Sequence, residues 1–200
     1  MQLTPLKENV LILKDYFENS PVSFCDISVG NKYMWRDLFV QEYAIIDDTL
    51  ICCESTKDYQ NAFYYPMGLN EENAFLEIEK YAKEQGEDIL FCCIDNEKAS
   101  VLSTKYRYVK VFNDRAWSDY IYDAEKFKTY SGKKFSGQRN HVNKFNKTYN
   151  YTFKRAEISD VKKIREFLDK NDKETEITDW TAVEERNKLS DMVEKAFSLG

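Results

Sequence analysis

A run of apolar residues at 88–95 constrains the fold more than any other feature of this sequence. The run is DILFCCID, and its apolar residues are continuous instead of alternating. Such a run is typical of a strand that is covered on both faces. Amphipathic helices are predicted on either side of it, one from Asn70 to about Gly86 and one over 97–105. We therefore predict a sheet with helices packed on it, with Phe91, Ile94, and Cys92 or Cys93 among its buried residues.

The residues before this strand predict one further helix and more strands. A helix is predicted over 5–19, and its apolar stripe consists of Leu6, Val10, Leu13 and Phe17. A β-hairpin is predicted from EYAIID and LICCES around an Asp47-Asp48-Thr49 turn, and NAFYYP predicts another strand. The segments YVKVF and WSDYIYD are predicted to be extended. Together these elements predict a mixed α/β (α+β) domain over 1–122.

The rest of the chain predicts a helical bridge and a second, smaller set of elements. Two basic helices are expected within 123–150, roughly at 124–130 and 136–149. Residues 151–200 then predict a strand, YTFKRA, and two amphipathic helices. Ser159 is a candidate cap for the first helix, and Thr181-x-x-Glu184 is a candidate capping box for the second. One strand and two helices cannot bury both apolar faces unless they dock on the first domain or on further residues, so we expect a shortened chain with an incomplete second domain.

The cysteines favour a reducing compartment. Four of the five form the adjacent pairs Cys52–Cys53 and Cys92–Cys93. Adjacent residues on a strand point to opposite faces, which suits neither a disulfide framework nor a CxxC metal site. Both pairs lie in apolar runs, so we interpret them as core residues and not as catalytic thiols. No apolar run reaches membrane-spanning length and the N-terminus does not resemble a secretory signal, so the sequence predicts a cytoplasmic protein.

The sequence lacks the motifs of several common kinds of catalytic site. The sequence contains no P-loop, no GxGxxG and no HExxH, and it lacks the glycine-rich loop with which acetyltransferases hold the CoA pyrophosphate. His141 is the only histidine, which disfavours both a zinc site and a Ser-His-Asp triad. The sequence thus predicts no metal and assigns no catalytic residue.

The distribution of charge points to an anionic partner. The net charge is −6, which argues against nonspecific nucleic-acid binding by the whole molecule. From Lys126 to Arg155, however, there are nine Lys or Arg residues and no Asp or Glu, and the remainder carries about −15. The candidate anion- or substrate-binding residues are Lys133, Lys134, Arg139, Asn140, His141 and Lys144. The alternative is a solvated helix whose charges pair with the acidic part of the fold. An apolar stripe on the same helix, formed by Phe135, Val142, Phe145 and Tyr149, is predicted to dock it.

Three short motifs around this basic stretch resemble a known family. They are an Asp-Tyr-Ile-Tyr strand at Asp119–Tyr122, a Gly-Lys-Lys-Phe turn at Gly132–Phe135 and a Gln-Arg-Asn-His segment at Gln138–His141. They resemble bacterial proteins related to the C-terminal domain of phosphatidylglycerol lysyltransferase. The close likeness covers these motifs, and a looser one covers most of the chain.

The resemblance implies two acetyltransferase-like (GNAT) domains in tandem. Residues 1–122 would form the first, 123–150 the bridge, and 151–200 the start of an incomplete second domain. It also implies acyl or aminoacyl transfer, with CoA or aminoacyl-tRNA as donor and a lipid or amine as acceptor. With its second domain incomplete, this chain is not expected to be catalytically complete. The cofactor would then be acyl-CoA or aminoacyl-tRNA, and tRNA, CoA or an anionic lipid headgroup would meet the basic face. The alternative is a non-catalytic module that binds nucleic acid or another polyanion.

Overall fold

The chain divides into two compact units, which we describe separately. The computed structural model describes residues 1–7, 9–21, 24–115, 118–174 and 180–199. Unit 1 comprises residues 1–112 and 158–200, and unit 2 comprises residues 113–157. The fold class is mixed α/β, as predicted.

A mixed β-sheet forms the centre of unit 1. Its six strands within the described residues are β1 (Thr4–Pro5), β2 (Val40–Ile46), β3 (Thr49–Ser55), β4 (Ala62–Phe63), β5 (Met67–Gly68) and β6 (Leu90–Phe91). The order is β1-β2-β3-β4-β6, and β5 pairs with β3. Every pairing is antiparallel except that of β4 with β6, which is parallel.

The described part of the chain contains eight α-helices, of which α5 and α6 belong to unit 2. They are α1 (Lys14–Glu18), α2 (Val29–Met34), α3 (Glu71–Gln85), α4 (Asn96–Lys105), α5 (Ala124–Thr129), α6 (Ser136–Thr148), α7 (Val161–Glu174) and α8 (Trp180–Leu199). Short 3₁₀ turns at Val10–Leu13, Lys133–Phe135 and Ile158–Asp160 precede α1, α6 and α7.

The predicted hairpin is confirmed as β2 and β3. Val40 lies opposite Ser55 and Ile46 opposite Thr49, so only two residues form the loop. These residues, Asp47 and Asp48, have φ angles of 46° and 56°. Two-residue hairpin loops favour this left-handed conformation, which Asp tolerates better than most residues.

The two central helices begin and end close to the predicted positions. Asn70 caps α3, because its side chain accepts a hydrogen bond from the Asn73 amide. The helix ends at Gly86, whose φ of 72° is the left-handed conformation common at helix C-termini. Asp95 caps α4 in the same way, accepting from the Lys98 amide at 2.7 Å.

The N-terminal helix is shorter than predicted. Thr4–Pro5 forms a strand on the outer edge of β2, where the missing N–H of proline costs no ladder bond, and helical turns begin only at Val10. The predicted apolar stripe is nevertheless confirmed as buried. Its members are Leu6, Val10, Leu13 and Phe17.

The predicted strand at 88–95 is much shorter than expected, and none of its residues is fully buried. Only Leu90–Phe91 is extended in the sheet; Leu90 is 39% exposed, and Phe91 and Cys92 are half-buried. Both faces are partly covered, since Phe91 packs against the cluster that contains Phe63 and Cys92 packs against the cluster that contains Leu13. Burial is incomplete because β6 is the last described strand of the sheet and has a neighbour, β4, on one side. Cys93 then turns the chain away with a φ of 52°.

Strand β3 is the strand that is buried on both faces. All seven of its residues are buried. Leu50 and Cys52 pack with the N-terminal helical turns, whereas Ile51 and Cys53 pack with α3. The alternation of faces expected for the first cysteine pair is therefore confirmed.

Three segments predicted to be extended form no ladder with any described strand. Residues 108–112 and 118–123 carry mostly exposed side chains, and so does 151–156, where Phe153 is 93% exposed. The prediction of a strand at 151–156 is wrong, because a strand requires a neighbour that completes its backbone hydrogen bonds. Ala116 and Trp117 lie outside the described residues.

The last helix packs on the N-terminal part of unit 1. Arg36, two residues after α2, donates to Asp191 at 2.8 Å, and Lys188 pairs with Asp37. The Met192 side chain packs against the cluster that contains Leu13. The capping box at Thr181 stays a prediction, since residues 175–179 and the Thr181 side chain lie outside the described residues. The assignment of 151–200 to a second domain also stays a prediction.

Candidate anion-binding face

The predicted anion-binding residues all lie in unit 2, around α5 and α6. Asp123 caps α5 by accepting hydrogen bonds from the Glu125 and Lys126 amides. Lys126 pairs with Asp123 at 2.8 Å, and this contact lowers the pKa of the Asp123 carboxyl. Lys128 pairs with Glu125 at 2.5 Å. The first two lysines of the basic stretch are thus neutralised by their own helix.

The next four lysines along the chain are exposed and have no ion-pair partner among the described residues. They are Lys133, Lys134, Lys144 and Lys147. The Lys134 ammonium lies 5.0 Å from the centroid of the Phe135 ring, and the ring leaves the charge open to water. The charge of Lys134 also helps to lower the pKa of the Asp123 carboxyl, after the hydrogen bonds to Lys126 and Glu125.

Helix α6 places its charges and its apolar side chains on opposite faces. At 3.6 residues per turn, Asn140, Lys144 and Lys147 lie along one face of the helix. Val142, Phe145 and Tyr149 lie along the other. A flat anion that contacts the first face therefore meets an amide and two ammonium groups without touching the apolar side chains.

The apolar stripe of α6 is not docked as predicted. Val142, Phe145 and Tyr149 are 43%, 46% and 59% exposed. Among the described rings, that of Phe145 packs beside Tyr149 and Tyr151, with 5.0 Å between ring centroids in each case. Phe135 is the one half-buried member, against Tyr130 at 6.0 Å. Unit 2 therefore exposes aromatic rings on the face of α6 that lies opposite Lys144 and Lys147.

Arg139 has a structural contact that the sequence did not suggest. Its guanidinium donates to the carbonyl of Tyr130 and, at 2.7 Å, to that of Gly132. Both residues have positive φ angles, 45° and 96°, at the turn that ends α5. Arg139 thus fixes the turn that carries Lys133 and Lys134, and only part of its fork is left for a ligand. Asn140 and His141 are exposed on α6.

Unit 1 contains a buried polar network that was not predicted from the sequence. Lys32, only 3% exposed, donates to Glu54 at 2.9 Å and contacts the Tyr64 hydroxyl. Tyr64 and Tyr59 both donate to the same carboxylate at 3.1 Å. Burial raises the pKa of Tyr64 well above its usual value, so the phenol stays protonated. A lysine and a glutamate 22 residues apart carry no sequence signal of pairing.

Neither unit gathers a metal site or a membrane span in its described residues. No group of three or more His, Cys, Asp or Glu side chains is placed to hold a metal ion there. In the same part of the chain, no helix is both long and apolar enough to cross a bilayer.

The structure defines a mixed α/β protein with a lysine-rich helical segment in unit 2. The model of the family "Phosphatidylglycerol lysyltransferase, C-terminal" matches residues 19–198. The chain belongs to this family, which confirms the resemblance inferred from the short motifs. The relationship to acetyltransferase-like folds stays a prediction.

One solved structure shares the fold. It is the crystal structure of a conserved protein of unknown function from Bacteroides thetaiotaomicron VPI-5482, with a TM-score of 0.84 and 22% sequence identity. The match covers 100% of this chain and 69% of that one. The sequence matches no curated protein.

Proposed function

We propose that this protein takes part in acyl or aminoacyl transfer and that unit 2 binds the anionic part of the donor or acceptor. The family places the chain among relatives of an aminoacyltransferase. The partner would be aminoacyl-tRNA, CoA or an anionic lipid headgroup. The observation that carries the proposal is the face of Lys133, Lys134, Lys144 and Lys147, which has no ion-pair partner among the described residues. Phosphate groups are the natural complement of such a face.

Acyl or aminoacyl transfer of this kind does not require a side-chain nucleophile. A nucleophilic amine or hydroxyl attacks the carbonyl of an ester or thioester, and the tRNA hydroxyl or the CoA thiol leaves. Holding the two substrates in contact supplies a large part of the acceleration, and backbone amides can stabilise the developing oxyanion. In this scheme unit 2 contributes binding and orientation, and no catalytic residue is assigned.

A second candidate function is a non-catalytic module for single-stranded nucleic acid. The exposed rings of Phe145, Tyr149 and Tyr151, which belong to the same unit as the lysines, favour it. Aromatic rings that stack on bases, combined with a positive groove, are a common way to bind single strands without sequence preference.

The salt dependence of binding tests the proposal. Affinity for unfractionated tRNA, for phosphatidylglycerol vesicles and for CoA should be measured over a series of salt concentrations. The variant Lys133→Gln/Lys144→Gln removes two phosphate contacts, so the slope of log K against log salt should flatten by about 1.5. The matched control is Lys83→Gln/Lys163→Gln, which removes two exposed lysines from α3 and α7.

The outcomes separate the candidates. Flattening in the first variant only, together with transfer of a labelled aminoacyl group to an acceptor, supports the proposed function. The same flattening without transfer favours the nucleic-acid module. Absence of salt-sensitive binding to all three ligands, or equal slopes in both variants, contradicts an anion-binding face on unit 2.

A further inference from the structure

A cavity of about 440 Å³ lies in unit 1, at the end of its parallel strand pair. Tyr64 and Tyr65 follow β4, Cys93 follows β6, and all three line the cavity. The crevice outside the carboxyl ends of parallel strands is where α/β sheets commonly bind ligands. The volume is within the usual range of small-molecule sites. Position and size therefore both suggest a ligand.

The lining of this cavity is strongly acidic. Four carboxylates contribute to it, from Asp15, Asp48, Glu71 and Asp95, against one cation, Lys98. Glu71 also accepts a hydrogen bond from the Tyr65 hydroxyl at 2.9 Å. The pKa of the lining residue Tyr16 is raised, first by burial and then by the charges of Asp48 and Asp15. The carboxylates of Asp15 and Asp48 thus both act on Tyr16 in the cavity lining.

An anionic ligand is disfavoured here despite two nearby helix N-termini. The side chain of Asp95 already occupies the N-terminus of α4, accepting from the Lys98 amide at 2.7 Å. Helix α3 begins with Glu71 and Glu72, which place two negative charges at its first turn. A phosphate at either helix would meet these carboxylates, so the usual anion-binding property of helix N-termini is cancelled.

The contacts of Lys98 show that the cavity lining can hold an ammonium group. Its ammonium lies 4.2 Å from the centroid of the Tyr65 ring and 3.9 Å from a Glu71 oxygen. This is the arrangement in which an ammonium ion is attracted by an aromatic face and a carboxylate together. Asp15 and Asp48, on another part of the lining, have no ion-pair partner among the described residues, and they lie beside the second ring, that of Tyr16.

We propose that this cavity binds a small organic amine as its protonated alkylammonium ion. The ammonium group lies against Tyr16, between the carboxylates of Asp15 and Asp48. The alkyl stem packs on the apolar lining that Ile27 and Met67 provide. The proposal is independent of the anion-binding face, since every residue it uses belongs to unit 1.

Calorimetric titration of the full chain with n-pentylamine hydrochloride tests it, with sodium pentanoate and 1-pentanol as probes of the charge. The amine should bind with one-to-one saturation, and the other two should bind at least about tenfold more weakly. Asp15→Asn/Asp48→Asn should weaken amine binding roughly fivefold, because each partly exposed charge pair contributes modestly. Asparagine also tolerates the left-handed backbone of Asp48.

The control Asp58→Asn/Asp88→Asn makes the same change in net charge at exposed sites that do not line the cavity. It should leave the affinity for n-pentylamine unchanged, and unfolding midpoints should show that both variants fold. Equal binding of pentanoate, equal weakening in both variants, or no saturable binding of the amine would each overturn the proposal. Loss of tRNA or vesicle binding in the unit 2 variant would not affect it.

Discussion

Strand β3 in unit 1 and helix α6 in unit 2 both carry apolar side chains, but they expose them to very different extents. Every residue of β3 is buried, because helical turns and α3 cover its two faces. None of the residues of α6 is buried. In unit 1, apolar side chains hold the sheet together. In unit 2 the apolar side chains of this helix are exposed.

The same contrast holds for a single residue type. Lys32 in α2 is buried and its ammonium is bound by Glu54 and Tyr64, whereas Lys144 in α6 is exposed. Removing one partner of a buried ion pair is strongly destabilising, whereas an exposed charge contributes little to stability. The two lysines therefore offer a direct way to test the comparison.

The largest expected effect is that of Lys32→Met. The substitution leaves the Glu54 carboxylate buried without its cation, so the free energy of unfolding should fall by about 3 kcal/mol. Lys144→Met, the matched change in unit 2, should alter it by less than about 0.5 kcal/mol. Urea unfolding followed by circular dichroism measures both.

The double variant Lys32→Met/Glu54→Leu serves as the control for this prediction. Since it removes both charges, it should recover much of the loss. Equal effects of Lys32→Met and Lys144→Met would contradict the assignment of Lys32 to a packed core and Lys144 to an open face.

A smaller, local effect is expected from Arg139→Gln. Two hydrogen bonds to the carbonyls of Tyr130 and Gly132 are lost, each with a net contribution near 1 kcal/mol. The turn should open more often, so tryptic cleavage after Lys133 or Lys134 should become up to roughly thirtyfold faster. The unfolding midpoint of unit 1 should not change.

Arg155→Gln, also in unit 2, is the matched control for the proteolysis experiment. An unchanged cleavage rate in Arg139→Gln, or the same acceleration in both variants, would show that Arg139 does not fix the turn.

The parts of the fold that depend on local chemistry were predictable from the sequence. The Asp47-Asp48 turn, the Asn70 cap and the Gly86 helix end follow from backbone preferences of single residues. The apolar stripe that includes Val10 and Leu13 follows from helical period. The family motifs were equally local, and they led to the right family.

The parts that depend on which strands are neighbours were not predictable. Residues 88–95 and β3 are both continuous apolar runs, and only the order of strands puts β3 in the centre and β6 at the edge. For the same reason the run at 151–156 suggested a strand that has no partner in the described sheet. The contact of Arg139 with Tyr130 and Gly132 depends on a turn geometry that composition does not encode.

Hydrogen exchange, measured by mass spectrometry with and without unfractionated tRNA at low salt, tests the central claim most directly. A 13-residue helix without buried side chains is marginal in water, so the amides of α6 should exchange fast in the free protein while those of β2 and β3 are protected. Adding tRNA should slow exchange in 136–148 and leave 40–55 unchanged, and high salt should reverse the slowing. Protection that develops in unit 1 alone, or no change anywhere at low salt, would contradict the assignment of packing to unit 1 and anion binding to unit 2.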